Sequence, residues 1–211
     1  MRCRQVIVLL AVLAVLVSPA PAHVPLEAGD NGSLASATRI SDPTRSYAIY
    51  ARLHEGSEAQ YYALAMEGGE ELRLSLMVPR AGVDAPDLVV MGPGIESSGS
   101  VPSSVEVPPG YGAVVVRGVS PEQAEYEPFT PSAIYEAAAF SREIEVPGTY
   151  YAVVLNPGGS GEYSLAVGYR EEFTPLEWLS IPFDQIRIHL WEGQPLWLIL
   201  RVGLAGDLQV L

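Results

Sequence analysis

The run Glu71-Leu-Arg-Leu-Ser-Leu-Met-Val78 puts Leu72, Leu74, Leu76 and Val78 on one face of an extended chain, and Glu71, Arg73 and Ser75 on the other. Successive side chains of a strand point to opposite sheet faces, so a period of two describes a half-buried β-strand. Gly68-Gly69 and Pro79 bound the run, as turn residues should. The same pattern recurs at 47–53, 59–66, 87–91, 113–117, 149–155 and 162–169, with Gly and Pro between. Short strands with this punctuation predict an all-β sandwich or barrel.

The N-terminus obeys a different rule. Two arginines in Met1–Arg4 precede an unbroken apolar run from Val6 to Val17, and Ala20 and Ala22 follow in small-x-small spacing. That order predicts a secretory signal peptide over 1–22, cleaved after Ala22. Twelve apolar residues are too few for a helix crossing about 30 Å of hydrocarbon. Cys3, the chain's one cysteine, falls inside this segment, so the mature chain is expected to lack both thiol and disulfide. A chain of the remaining size buries roughly 70% of its unfolded surface and can fold without cross-links.

Without Arg2 and Arg4, ten arginines face 25 acids, and lysine is absent. A surface that acidic repels phosphate backbones and argues against nucleic-acid binding. Acidic side chains also keep an exported domain soluble.

Residues 23–45 read as a flexible segment rich in turn residues, with Asn31-Gly-Ser33 as an exposed glycosylation acceptor at Asn31. A sandwich domain is expected over 46–192, interrupted by a long insertion at 92–140 whose first part, 92–111, is rich in Gly, Pro and Ser. Long loops on rigid scaffolds often carry binding functions, so specificity is expected there. Glu127-Pro-Phe-Thr-Pro131 recurs as Glu171-Glu-Phe-Thr-Pro175. In each, Thr fits an N-cap, Pro the first helical position, and an apolar pair a hydrophobic staple. The pairs are Phe129 with Ile134 and Phe173 with Trp178, and Glu177 completes a capping box. This predicts a short helix over 132–140 and at least one helical turn over 176–179. The apolar tail at 193–211 is broken by Arg201 and Asp207. It leaves three readings open: a last buried strand, a shortened membrane anchor, or a tail that contacts a membrane through 195–211.

Three runs in the first half form a recognisable set: Glu58-Ala-Gln-Tyr-Tyr-Ala-Leu64, Gly69-Glu-Glu-Leu-Arg-Leu74 and Asp87-Leu-Val-Val90. Two more, Pro147-Gly-Thr-Tyr-Tyr-Ala-Val-Val154 and Gly161-Glu-Tyr-Ser-Leu-Ala-Val167, complete it. Together they resemble the pre-peptidase C-terminal domains of secreted bacterial and archaeal proteins, over 46–91 and 141–169. The resemblance implies a jelly-roll-like antiparallel β-sandwich, here with one or two short helical insertions. It further implies a module beside secreted hydrolases, of which some bind collagen or polysaccharide and a few bind calcium. The stretch 92–140 is longer than that family's loop, and the sandwich is expected to stand without a preceding peptidase domain. The calcium-bearing acidic linker of some members has a loose counterpart in Glu27, Asp30 and Asp42. These are the calcium candidates, and a site would need several oxygens converging at about 2.4 Å.

The motifs of common catalytic chemistry are missing. His23, His54 and His189 lack helical zinc spacing, no Gly-x-Ser-x-Gly elbow is present, and Gly92-Pro-Gly94 is not followed by the Lys-Ser of a phosphate cradle. The acid pairs Glu70/Glu71, Glu125/Glu127 and Glu171/Glu172 read as solvated charge, because a glycosidase needs two carboxyls facing one cleft. In the doublets Tyr61-Tyr62 and Tyr150-Tyr151 one ring should face the core and its neighbour the opposite side. The sequence therefore predicts a non-catalytic extracytoplasmic binding, adhesion or surface-architecture module with no required cofactor, whose partner is a polysaccharide or an extracellular protein. The alternatives are a structural domain attached to a membrane by its C-terminal segment and, further off, a carboxylate-dependent glycan hydrolase.

Overall fold

The computed structural model describes residues 23–54, 58–120, 123–127 and 132–193. Eleven strands and one helix occur among them: β1 Val24–Leu26, β2 Thr38–Ile40, β3 Tyr47–Leu53, β4 Ala59–Met66, β5 Glu71–Val78, β6 Asp87–Gly92, β7 Gly112–Val116, β8 Glu125–Glu127, β9 Ser132–Glu143, β10 Gly148–Leu155, β11 Gly161–Val167 and α1 Pro175–Trp191. A six-stranded sheet runs β1-β3-β11-β5-β9-β8, and a five-stranded sheet runs β2-β4-β10-β6-β7. The fold is an all-β sandwich. By contact, the chain divides into two compact units. The larger is His23–Glu125 with Ile134–Glu172, and the described part of the other comprises 126–127, 132–133 and 173–193.

Strand register decides which alternating residues go inside. Tyr163, Leu165 and Val167 pair beside Ala51, Ile49 and Tyr47, and Leu165 also pairs beside Leu76. On the other sheet, Tyr62 and Leu64 pair beside Ala152 and Tyr150, and Ala152 beside Val90. The two inner faces meet at the hydroxyls of Tyr62 and Tyr163, 2.6 Å apart. Tyr163 donates onward to Gln60 Oε1, so the polar centre of an otherwise apolar core is satisfied. Leu72, Leu74, Leu76, Leu88, Leu165 and Val154 around it are all 1% exposed or less. Each such burial stabilises the fold by roughly 1.5–3 kcal/mol.

The five-stranded sheet buries its outer face as well. Ala59, Tyr61, Val89, Met91, Ala113, Val153 and Leu155 form a second apolar cluster with Val105. Val101, Val107 and Tyr111 cover it from the 93–111 excursion, and Leu34 and Ala37 from the N-terminal segment. The first part of the insertion, expected to carry specificity as a long loop, is therefore a cover for its own sheet. The 92–140 insertion also contributes β7, β8 and most of β9 to the sheets. Both rings of the first tyrosine doublet are consequently buried: Tyr62 in the central core and Tyr61 beneath the cover.

Two expectations give way here. Residues 132–140 are not helical: they open the twelve-residue strand β9, which pairs with β5 from Glu71↔Glu143 to Val78↔Tyr135 through a bulge at Leu76/Met77. A helix would have left that side of β5 without ladder partners, and a row of backbone bonds outweighs the helix preference of three alanines. Its anticipated cap, Thr130-Pro131, lies outside the described residues, as does Phe129. Residues 23–45 are not a loose lead-in, since β1 pairs with β3 and β2 with β4, both parallel. His23, expected to be mobile, is partly buried with Nδ1 against the Ser46 hydroxyl.

The helix start at 174 is as expected. Thr174 caps Glu177 N–H, and Glu177 returns a bond to the cap's own N–H. Phe173 packs on Trp178 with ring centroids 5.4 Å apart. A cap of this kind is worth about 1 kcal/mol. The helix then runs past Pro182 to Trp191, which fits the expectation of at least one turn over 176–179.

A candidate binding groove at one end of the sandwich

Four separate segments converge where β3 and β5 end and β6 and β11 begin. β3 brings Arg52 and Leu53, the turn after β5 brings Pro79, Arg80, Val83, Asp84 and Pro86, β10 is followed by Asn156, and β11 opens with Gly161 and Glu162. Together they line a concavity of about 230 Å³. Strand pairing sets one wall, because Arg52 and Glu162 are register partners and their side chains approach to 3.6 Å. Asn156 sets another. Its side chain is buried, accepts from Gly158 N–H at 3.0 Å and donates to the Asp84 carbonyl at 3.0 Å. This Asx turn ties the 156–160 turn to the 79–86 turn, so the groove floor is held by backbone-directed bonds.

The lining mixes charged donors and acceptors with apolar Leu53, Pro79, Val83 and Pro86. Arg80 is exposed and makes no ion pair among the described residues, with the exposed Asp84 four residues on. No aromatic ring lines the groove, so it offers hydrogen bonds rather than a stacking platform. The size suits one sugar unit or one peptide side chain rather than a drug-sized ligand.

The residues singled out in the sequence lie elsewhere. Among the described residues no group of three or more His, Cys, Asp or Glu is placed to hold a metal ion. Glu27, Asp30 and Asp42 form no such group. Asp42 is engaged otherwise: the Thr44 hydroxyl, and then Arg170 at 2.8 Å, hold its carboxyl below the usual range. Glu71 is likewise held down by the Ser141 hydroxyl and by Arg73. Those shifts are opposite to what a general acid requires. Asn31 is 3% exposed, which contradicts its reading as an exposed acceptor. It is buried because the Asn31 carbonyl accepts from Tyr61 N–H, drawing the residue onto β4. Its amide nitrogen lies close enough to influence the Tyr62 hydroxyl but makes no hydrogen bond of ordinary geometry. The tail 195–211 lies outside the described residues.

His54 is exposed beside Glu58, with Nδ1 3.5 Å from the carboxylate. His189 is fully buried in the smaller unit, and that burial holds its imidazole below the ordinary value. Glu192 lies 3.7 Å from His189 Nδ1 and accepts from the Ser132 hydroxyl at 2.8 Å. The carboxylate therefore stands between hydroxyl and imidazole, the reverse of the order that activates a serine nucleophile.

Sequence reasoning missed the groove's residues. Its signal was the pair of turns, Pro79-Arg-Ala-Gly-Val-Asp84 and Asn156-Pro-Gly-Gly-Ser160, each placing polar groups at a strand end. No helix among the described residues is long and apolar enough to cross a membrane.

Comparison with solved structures finds similarity to the pre-peptidase C-terminal domain of a collagenase from Bacillus anthracis, at 20% identity. The match covers 62% of this chain and 93% of that one, with a TM-score of 0.33. It is the family that the strand and turn sequences had suggested. Neither a protein-family model nor a curated protein matches the chain.

Proposed function

We propose that the chain is a non-catalytic extracytoplasmic module that binds a neutral polysaccharide through the groove at the end of its sandwich. The observation that carries this is the groove's composition: Arg52, Arg80, Asp84, Asn156 and Glu162 ring one concavity, held by the Asn156 turn. Vicinal hydroxyls both donate and accept, and match a lining that holds both guanidinium and carboxylate groups. A net charge of −13 works against polyanionic ligands. Export is supported by the leader pattern at 1–22. The cover role of 93–111 moves the expected specificity site from that excursion to the groove.

The test is a glycan array probed with the wild-type chain and with Arg80→Ala, followed by titration of the best ligand. Arg80→Ala is expected to weaken binding about tenfold, as loss of a charge-assisted hydrogen bond does. Binding is expected to be the same with calcium and with chelator. A blank array with folded protein sinks the proposal, and saturable binding that is indifferent to Arg80→Ala places the site elsewhere. A second reading, a structural domain standing on a membrane, is favoured by the apolar composition of 195–211. Release from the cell pellet only by detergent would support it.

A further inference from the structure

Helix α1 carries two apolar faces. Ile181 and Ile188 are buried on one, together with His189 and Glu192. Away from them, Leu176, Leu179, Phe183, Ile186 and Leu190 are exposed by 78, 72, 70, 42 and 61%. Their spacing is three, four, three, four, which at 3.6 residues per turn confines them to an arc of roughly 80°. That is the a/d seam of a heptad pattern, narrower than the stripe by which a helix usually faces a core.

We propose that this seam pairs with the same seam of a second copy of the chain. The spacing suits the holes of another helix. A lipid surface fits less well, because helices that lie in membranes oppose their apolar face with one rich in Lys and Arg. Here the opposite face is itself buried, and Arg187 is the helix's one arginine, with no lysine. The chain's own segment 196–211 fits less well too. Arg201 and Asp207 interrupt its apolar run, and Gly203 and Gly206 disfavour a helix. Glu177 and Asp184 fall outside the arc, so the acids of two copies are not brought together along the seam. Phe183 is seven residues from both Leu176 and Leu190, so it meets its counterpart whether the helices run parallel or antiparallel.

The area sets the strength. Five such side chains offer on the order of 600 Å² per copy, below the ~800 Å² per partner of a standard stable interface. An interface below that size suits a weak, reversible pair rather than an obligate dimer. This inference is independent of the groove.

The experiment uses the full chain with Cys3→Ser, adding Phe183→Cys in one variant and Leu176→Cys in another. Under mild oxidation Phe183→Cys is expected to form an interchain disulfide, while Leu176→Cys does so only in a parallel pair. Sedimentation equilibrium from about 1 to 200 μM brackets an interface of this size. Leu179→Glu with Phe183→Glu is expected to weaken association at least tenfold, and Leu179→Ala with Phe183→Ala to weaken it less, both with unchanged circular dichroism. The difference between variants reads the seam. Association untouched by the glutamates, or absence of the Phe183→Cys disulfide, overturns the proposal. So does a glutamate variant that loses binding to phosphatidylcholine vesicles while its self-association is unchanged, which assigns the seam to lipid.

Discussion

Gly112 opens β7 where the 93–111 cover rejoins the sheet, and a Cβ there would sit 1.7 Å from the Ile95 carbonyl oxygen. That oxygen belongs to backbone and cannot swing aside, so Gly112→Ala must separate the cover's two ends. The expected loss is about 3 kcal/mol, the upper end of the usual overpacking cost, read as a lower urea midpoint with unchanged slope. Gly32→Ala, with nothing within 4 Å of the added carbon, is expected to stay within about 0.5 kcal/mol of wild type. An equal effect at both sites would show that the close approach at Gly112 carries no constraint. The sequence shows both glycines but not this difference, because the Ile95 oxygen that decides it lies seventeen residues away in the chain.

Among elements, the cover and β9 show how far local patterning reaches. Strands at 47–53, 59–66 and 71–78 occur where alternation places them, although only 71–78 keeps a clean buried-and-exposed alternation and 59–62 is buried on both faces. The helix start at Thr174 was equally legible, since a capping box involves only neighbours. β9 was not, because Ala137, Ala138 and Ala139 favour a helix in isolation while the strand is fixed by β5. For the cover, Val105 is the buried anchor, 7% exposed, and its role depends on Tyr61 and Met91 in distant strands. Val105→Asp is expected to release the excursion, because an unpaired carboxylate cannot stay in that cluster. Limited proteolysis should then cut within 96–104 several-fold faster while the sheets persist. An unchanged cleavage rate would mean that the other apolar residues suffice to hold the cover.

Across the whole molecule the two sheets share a buried hydroxyl pair, and this makes stability pH-dependent. Burial pushes the Tyr62 phenol up to about 12, and burial and the Tyr62 neighbour raise Tyr163 well above its ordinary value. An unfolded tyrosine ionises near 10. The folded value lies above the unfolded one, so this contribution is complete below pH 10. Between pH 10 and 12 the unfolded chain gives up a proton that the folded chain keeps, and stability falls with rising pH. The slope from one such group is about 1.4 kcal/mol per pH unit. Urea midpoints from pH 9 to 12 should show the decline, and Tyr62→Phe should flatten it. A decline as steep in Tyr62→Phe as in wild type would assign alkaline sensitivity elsewhere.

What the sequence determined alone is everything set by short-range periodicity and neighbouring caps: the all-β class, the main strands, the helix start and the expectation of export. A strand's alternation and a helix's first turn are settled within a few residues, so they can be read from a few residues. Tertiary structure decided the rest. It turned 132–140 into a strand, laid 93–111 over an outer sheet face and buried Asn31. It also brought Arg52, Arg80, Asp84, Asn156 and Glu162 to one groove. Each of these depends on which distant backbone is left to be paired or covered, and that is fixed only when both sheets have formed.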